Sequence, residues 1–303
     1  MVEQGTENPC VPSSILGLAT TSKLNILKVK ILKIIKTVTE LKNYLKNKNS
    51  IGFVPTMGAL HNGHKSLIDK ARNENQIVVI SIFVNPTQFL EGEDFSEYPR
   101  TFEKDSEICR LSEVDVIFYP NPNELYFSDE VSILAPKRNG FILDGMKRVG
   151  HFNGVLQVVL KLLNIVKPNK AYFGKKDAQQ VILIQEMVKQ LFLDIEIIPA
   201  EIVRDSDGLA LSSRNIYLSK DERKKALAIP KSLELASKSI MQGEREISKI
   251  RNIIFETLKD TEIDYIEIRK RNLSRLEKIE ISNTIILIAV KIGKTRLIDN
   301  IWI

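Results

Sequence analysis

V-P-T-M-G-A-L-H-N-G-H-K-S-L-I-D-K-A, residues 54–71, is the stretch on which the reading of this chain turns. The apolar run Ile51–Val54 reads as a short buried strand, and Pro55 and Gly58 are expected to end it and force a turn. Leu67, Ile68 and Ala71 then recur at helical spacing, so a helix is expected to begin near Gly63 and His64 and to bury that face against the strand. His61 and His64 thereby fall at a helix N-terminus, where unpaired amides and the positive end of the dipole favour an anion. Each histidine could instead cap a turn. Two of the chain's three histidines sit in this one turn, with Gly63 between them, which favours a phosphate site.

The 303 residues, 43% of them hydrophobic, can bury a large core and are long enough for two domains. No run approaches the ~20 apolar residues of a membrane span, so no membrane partner is expected. Cys10 and Cys109 are too few for a disulfide framework or a metal site, which makes a reducing, cytoplasmic compartment the default. The net charge of +6 brings nucleic acid into consideration. Lysines are scattered along amphipathic segments, however, so a solvated basic surface suited to anionic substrates is the better account, without a nucleic-acid partner. Residues 1–27 lack helical or strand pattern and read as a disordered extension without a signal peptide.

Lys28–Lys36 is expected as a first strand and Thr37–Lys46 as a capped helix. Gln76–Val84 is an almost unbroken β-branched run, as in a parallel strand covered on both faces. Thr101–Leu111, Gly154–Val166 and Asp177–Leu191 read as helices, with strands at Val114–Tyr119, Ala171–Phe173 and Ile195–Val203. Strands alternating with helices define an α/β fold with a doubly wound parallel sheet over residues 28–201. Residues 202–303 form a smaller α+β domain, with helices at Lys220–Gln242 and Glu246–Lys259 and strands at Ile263–Arg269, Thr284–Lys291 and Thr295–Asp299.

Such sheets bind ligands at the carboxyl ends of their strands. The turn after Val54 carries the histidines, that after Val84 carries Asn85 and Gln88, and that after Phe173 carries Gly174, Lys176 and Asp177, so all three are expected on one edge. Lys176 suits a phosphate and Asp177 a ribose; otherwise G-K-K-D is a helix start with lysines in water. Gln88 and Gln180 suit a small hydroxy acid. Ser212, Ser213 and Arg214, in D-G-L-A-L-S-S-R-N, look like a mobile phosphate clamp. Arg148 and His151 fit a carboxylate site or a domain contact, and the acidic loop Glu91–Glu97 reads as solvated, with help to Mg2+ as the alternative.

The H-x-G-H turn resembles the signature of nucleotidyltransferases that activate a carboxylate or phosphate with a nucleoside triphosphate. Taken with S-I-F-V-N-P-T-Q-F, E-D-F-S-E-Y-P-R-T, H-F-N-G-V, G-K-K-D-A-Q-Q, D-G-L-A-L-S-S-R-N and K-T-R-L-I-D-N, the chain from about Ile31 onward resembles the pantoate-beta-alanine ligase family. The resemblance implies a Rossmann-like N-terminal domain, a C-terminal lid and a homodimer. It implies ATP binding by Met57, Gly58, Ala59, Leu60, His61, Asn62, Gly63 and His64, by Gly174, Lys175, Lys176 and Asp177, and by Val203, Leu211, Ser212, Ser213 and Arg214. It makes His64 a proton donor, with His61 and Lys176 beside it in catalysis. Gln88 and Gln180 would bind pantoate, with beta-alanine received near Gln88. ATP with Mg2+ is the implied nucleotide, and the metal's ligands are left unassigned. Lys175 stands where the family usually has Glu, and Val149 where it usually has Pro. Two other readings remain open at this point: a different H-x-G-H nucleotidyltransferase, and a basic nucleic-acid-binding protein.

Overall fold

The computed structural model describes residues 31–303, so the expected extension over residues 1–27, with Cys10, lies outside the described residues. In chain order the first part comprises β1 (Lys33–Ile35), α1 (Val38–Leu45), β2 (Ile51–Thr56), α2 (Asn62–Glu74), β3 (Ile77–Ile82), α3 (Phe102–Leu111) and β4 (Val116–Phe118). The short helices α4 (Pro122–Leu125) and α5 (Asp144–Lys147) precede α6 (His151–Val166), β5 (Lys170–Gly174), α7 (Ala178–Gln190) and β6 (Glu196–Ala200). The second part comprises α8 (Lys220–Ala226), α9 (Ala228–Met241), α10 (Ile247–Leu258), β7 (Glu262–Lys270), β8 (Thr284–Ile292) and β9 (Thr295–Trp302).

Six parallel strands lie in the order β1-β4-β3-β2-β5-β6. The chain winds one way from β2 through β3 to β4, then returns to the other side of β2 for β5 and β6, as the Rossmann-like reading expects. Successive residues explain the apolar runs. Phe53 and Val79 face a core shared with α1, α6 and α7, whereas Val54 and Ile80 face α2 and α3 across the sheet. Each such fully buried aliphatic or aromatic side chain contributes about 1.5–3 kcal/mol.

Pro55 does not end β2, contrary to expectation. The strand runs on to Thr56, with Pro55 opposite Ser81. The Ile51 carbonyl accepts from Asn169 on the β5 side and the Thr56 carbonyl from Phe83 on the β3 side, so odd-numbered residues direct their amides toward β5. Pairing with β5 ends at Phe53, and the donor that proline lacks has no acceptor waiting for it.

The expected helix Lys220–Gln242 is two helices that meet at Leu227. Pro230 cannot donate to Ala226, and its ring crowds that carbonyl, so the chain restarts as α9 with Pro230 in the first turn. α6 begins at His151, three residues earlier than expected.

The three-stranded antiparallel sheet β7-β8-β9 packs one face of β8, Ile286, Ile288 and Val290, on a core with Leu233, Ile250 and Ile254 from α9 and α10. The other face, Ile285 and Leu287, docks on Leu143, Ala178 and Ile182 of the first part. Polar ties flank that contact. Arg296 and Tyr265 both donate to Asp144, at 2.6 and 3.1 Å, and Asn300 donates to the carbonyls of Lys175 and Lys176 at 2.8 and 2.9 Å.

Candidate active site

β2 and β5 are neighbours from the two directions of winding, so the crevice beyond their carboxyl ends is the topological switch point. The loop after β2 carries Met57–His61, and that after β5 carries Lys175–Asp177. A cavity of about 250 Å3 opens there, lined by Met57, His61, Gly63 and His64, by Gln88, by Gly174, Lys176 and Asp177, by Gln180, and by Val203 and Leu211–Arg214. Lys176, Asp177, Ser212 and Arg214 also line an adjoining, wider cleft that reaches the β8–β9 hairpin.

His61 caps α2, with its Nδ1 accepting from the Gly63 amide at 3.1 Å, and His64 Nδ1 accepts from the His61 amide at 3.3 Å. Both Nδ1 atoms therefore hold lone pairs, and each neutral ring carries its proton on Nε2. The rings lie 4.1 Å apart. Burial and the Lys176 ammonium lower His61 to about 4. Burial, His61 and Lys176 lower His64 to about 3, so at neutral pH both act as uncharged donors.

The expectation of free amides at this helix start is not met as stated. The amides of Ala59 and Leu60 are bound by Asp105 Oδ2 and Oδ1 at 2.9 and 2.8 Å, and those of His61 and Gly63 by imidazole nitrogens. Gly58 and Ala59 adopt left-handed φ values of 84° and 50°, which turn the chain from strand to helix. Asn62 is exposed, while Gly58, Ala59 and Leu60 support the loop without lining the cavity.

Gln88 lies at the end of a 3-10 turn, Pro86–Gln88, that packs on α6 through Gly154. A Cβ at Gly154 would come within 2.1 Å of the Thr87 carbonyl oxygen, so no other residue permits this approach. Buried Asn85 donates to Gln88 Oε1 at 3.2 Å and accepts from the Tyr126 hydroxyl at 2.6 Å, which makes it part of the turn's scaffold. Gln88 Nε2 donates to Met57 Sδ at 2.9 Å. Gln180 lines the cavity, while its neighbour Gln179 is buried and spent on Asn139, Ile142 and Asp144.

Two sequence expectations change, and Arg148 and His151 line the cavity, where a carboxylate site remains open to them. Lys175 turns from the cavity to Glu201 and lies 5.5 Å from the Trp302 ring, although its carbonyl is held by Asn300. The acidic loop is solvated only in part: Glu91 and Glu97 are exposed, but Glu93 accepts twice from Arg148 at 2.6 Å, and Asp94 accepts twice from Arg214 at 2.9 and 2.7 Å. His151 is locked between Arg148 and the Gln88 carbonyl, to which its Nδ1–H donates at 2.7 Å, and burial followed by the Arg148 charge lowers it to about 4. The roles of Asp105 and Tyr98 are not legible in the sequence, because their partners lie far along the chain. The buried Tyr98 hydroxyl, for example, meets Ser213 at 3.5 Å. Tyr98 opens the Y-P-R-T run, whose place in the family resemblance is the one signal the sequence offers for it.

Among the described residues no group of three or more His, Cys, Asp or Glu side chains is placed to hold a metal ion. Cys109 is free and buried, its thiol pushed up to about 12 by burial and then by Asp105.

A switch-point crevice with two neutral imidazoles, a lysine and a serine-arginine loop from a second subdomain defines an α/β enzyme that handles a nucleotide. A sequence model of the pantoate-beta-alanine ligase family matches residues 31–302, and the chain belongs to that family of ligases. It is 53% identical over 273 residues to the pantothenate synthetase of Aliarcobacter butzleri (strain RM4018), covering 90% of this chain and 100% of the relative. The crystal structure of pantothenate synthetase from Thermus thermophilus matches with TM-score 0.86 at 37% identity, covering 89% of this chain and 99% of that one. That of pantoate-beta-alanine ligase from Francisella tularensis, complexed with beta-gamma ATP and beta-alanine, matches with TM-score 0.74 at 38% identity, covering 90% and 98%. Family membership sets aside the other nucleotidyltransferase and the nucleic-acid-binding protein.

Proposed function

We propose that the chain condenses pantoate with beta-alanine at the expense of ATP, through a pantoyl adenylate, and that the switch-point cavity is where both steps occur. The carrying observation is that His61, His64 and Lys176 line the same cavity as Gln88 and Gln180, the one set suited to phosphate and the other to a small hydroxy acid.

A carboxylate resists an amine because oxide is a poor leaving group. Attack of a pantoate oxygen on the α-phosphorus of ATP forms a P–O bond, expels pyrophosphate and turns that oxygen into the leaving group AMP. Charge grows on the departing pyrophosphate, where His61 and His64 donate from Nε2 and Lys176 supplies a positive charge. The amine of beta-alanine then attacks the acyl carbon, and AMP leaves. Positioning alone can supply about 7–11 kcal/mol of such a barrier.

The remaining contacts follow the same reading. Met57 and the loop to His64 receive the nucleotide, with Gly174, Lys176, Asp177, Val203 and Leu211–Arg214 around it; Lys175 contributes through its backbone. Mg2+ fits as an ion carried by the triphosphate, since two of the carboxylates lining the cleft, Glu93 and Asp94, are engaged by arginines. Residues 202–303 serve as the lid that keeps water from the adenylate. A homodimer accords with exposed Phe127 and Val131 beside an apolar groove on α6. No described helix is long and apolar enough to cross a membrane, which accords with a cytoplasmic setting.

Incubation with ATP and pantoate alone should release one equivalent of pyrophosphate per site, and beta-alanine should then permit turnover with AMP. Pyrophosphate release that does not depend on pantoate would refute this reading.

A further inference from the structure

We infer that Asp105 is a positioning residue for the adenylation step, its carboxylate holding the loop that aims His61 and His64 at the triphosphate. The inference rests on the phosphate-binding role proposed above for the two histidines.

Asp105 lies in the first turn of α3, 1% exposed, where the helix dipole favours a negative charge. It makes no ion pair with any described lysine, arginine or histidine, and is satisfied instead by three hydrogen bonds. Ala59 N–H donates to Oδ2 at 2.9 Å; Leu60 N–H and Thr101 Oγ1–H donate to Oδ1 at 2.8 and 3.1 Å. A buried carboxylate with no counter-ion is a costly choice for a mere filler.

Its grip falls where the backbone is least willing. Gly58 and Ala59 both have left-handed φ, and for Ala59, which carries a Cβ, that conformation is strained and persists only because the surroundings impose it. The next amide along, His61 N–H, donates to His64 Nδ1, and Gly63 N–H to His61 Nδ1. One carboxylate thus begins a run of bonds that ends by fixing both rings in the Nε2–H tautomer. The same run engages the amides of Ala59, Leu60, His61 and Gly63, which leaves the imidazole Nε2–H groups as donors to phosphate. Only an acid serves here: an Asn would set its NH2 against Ala59 N–H or Leu60 N–H, donor facing donor.

The test is Asp105→Asn, nearly the same in volume, read on the two half-reactions separately. Adenylate formation from ATP and pantoate, followed by rapid quench, should fall about 30- to 100-fold, since a misplacement of about 1 Å has that scale of effect. Ligation of beta-alanine to supplied pantoyl adenylate should stay within about threefold of the parent, and the imidazole 15N signals should shift. Equal loss in both half-reactions would mark a merely structural role and overturn the inference, as would adenylation within threefold of the parent. The parent protein in the same assay checks the function itself: failure there strikes the ligase reading, whereas failure of the split strikes only Asp105. Should Asp105→Asn not fold, Thr101→Val removes one donor from the same carboxylate. Thr101 makes no capping bond to α3, so the same split is expected there in smaller measure, and its absence would overturn the inference.

Discussion

Arg214 donates from Nε and Nη2 to the two carboxylate oxygens of Asp94, at 2.9 and 2.7 Å. The guanidinium that the loop sequence offers to phosphate is thus already engaged, by a residue 120 positions away on the other side of the cleft. With Tyr217 donating to the Glu97 carbonyl at 3.2 Å, the pair closes the serine-arginine loop onto the acidic loop. For Arg214 to meet a triphosphate it must leave or share Asp94. Asp94→Asn is therefore expected to lower the Kd for ATP about threefold, and Arg214→Lys, which loses the two-pronged contact, to raise it about tenfold. Calorimetric titration with ATP decides. A higher Kd in Asp94→Asn would mean that the carboxylate holds Arg214 in its working position.

His64→Ala should slow adenylate formation by about 10² to 10³, the cost of one donor to a developing charge, while pantoate binds nearly as before. Rapid quench with pantoate and ATP measures the first quantity and equilibrium binding the second. An unchanged first step would remove His64 from the mechanism.

The histidines also set an acid limit on stability. In the unfolded chain each titrates near 6.5, whereas His61, His64 and His151 are lowered to about 4, 3 and 4 in the fold. Between those values the unfolded chain holds more protons, so stability is fully present above pH 6.5 and is lost as pH falls toward 4. Buried His151 contributes a slope of about 1.4 kcal/mol per pH unit, and the partly exposed His61 and His64 less. Urea midpoints at about pH 7.5, 6.5 and 5.5 should fall in that order, over a range where carboxylates remain largely ionised. Equal midpoints would contradict the neutral-ring assignment.

Gly154→Ala places a methyl 2.1 Å from the Thr87 carbonyl oxygen and 2.7 Å from the Gln88 amide. Neither α6 nor the turn can yield without moving Gln88, so a loss of about 1–3 kcal/mol is expected, the usual cost of overpacking. The KM for pantoate should rise about tenfold, with that for ATP little altered. Denaturation and steady-state kinetics test the pair of effects, and parental values in both would show that the contact gives way freely.

The sequence by itself determined the elements and the edge of the sheet at which the chemistry lies. Val54 and Ile80, and Phe53 and Val79, alternate across the sheet as their unbroken apolar runs require, and Leu67, Ile68 and Ala71 face inward at helical spacing. Such patterns are legible because they depend on residues within a few positions of one another. Local signals failed where a backbone group's obligations were decided elsewhere: Pro55 stays in its strand because its pairing with β5 has already ended, and Pro230 splits the expected helix at Leu227. Only the tertiary structure decided which polar groups are free. Asp105 meets the 59–60 amides from 45 residues away, Arg148 and Arg214 find Glu93 and Asp94, and Gln179 is spent where Gln180 is open. Charge and hydrogen-bonding capacity are written in the residue, but what satisfies them is set by which loops the sheet brings to one edge, and no spacing along the chain records that.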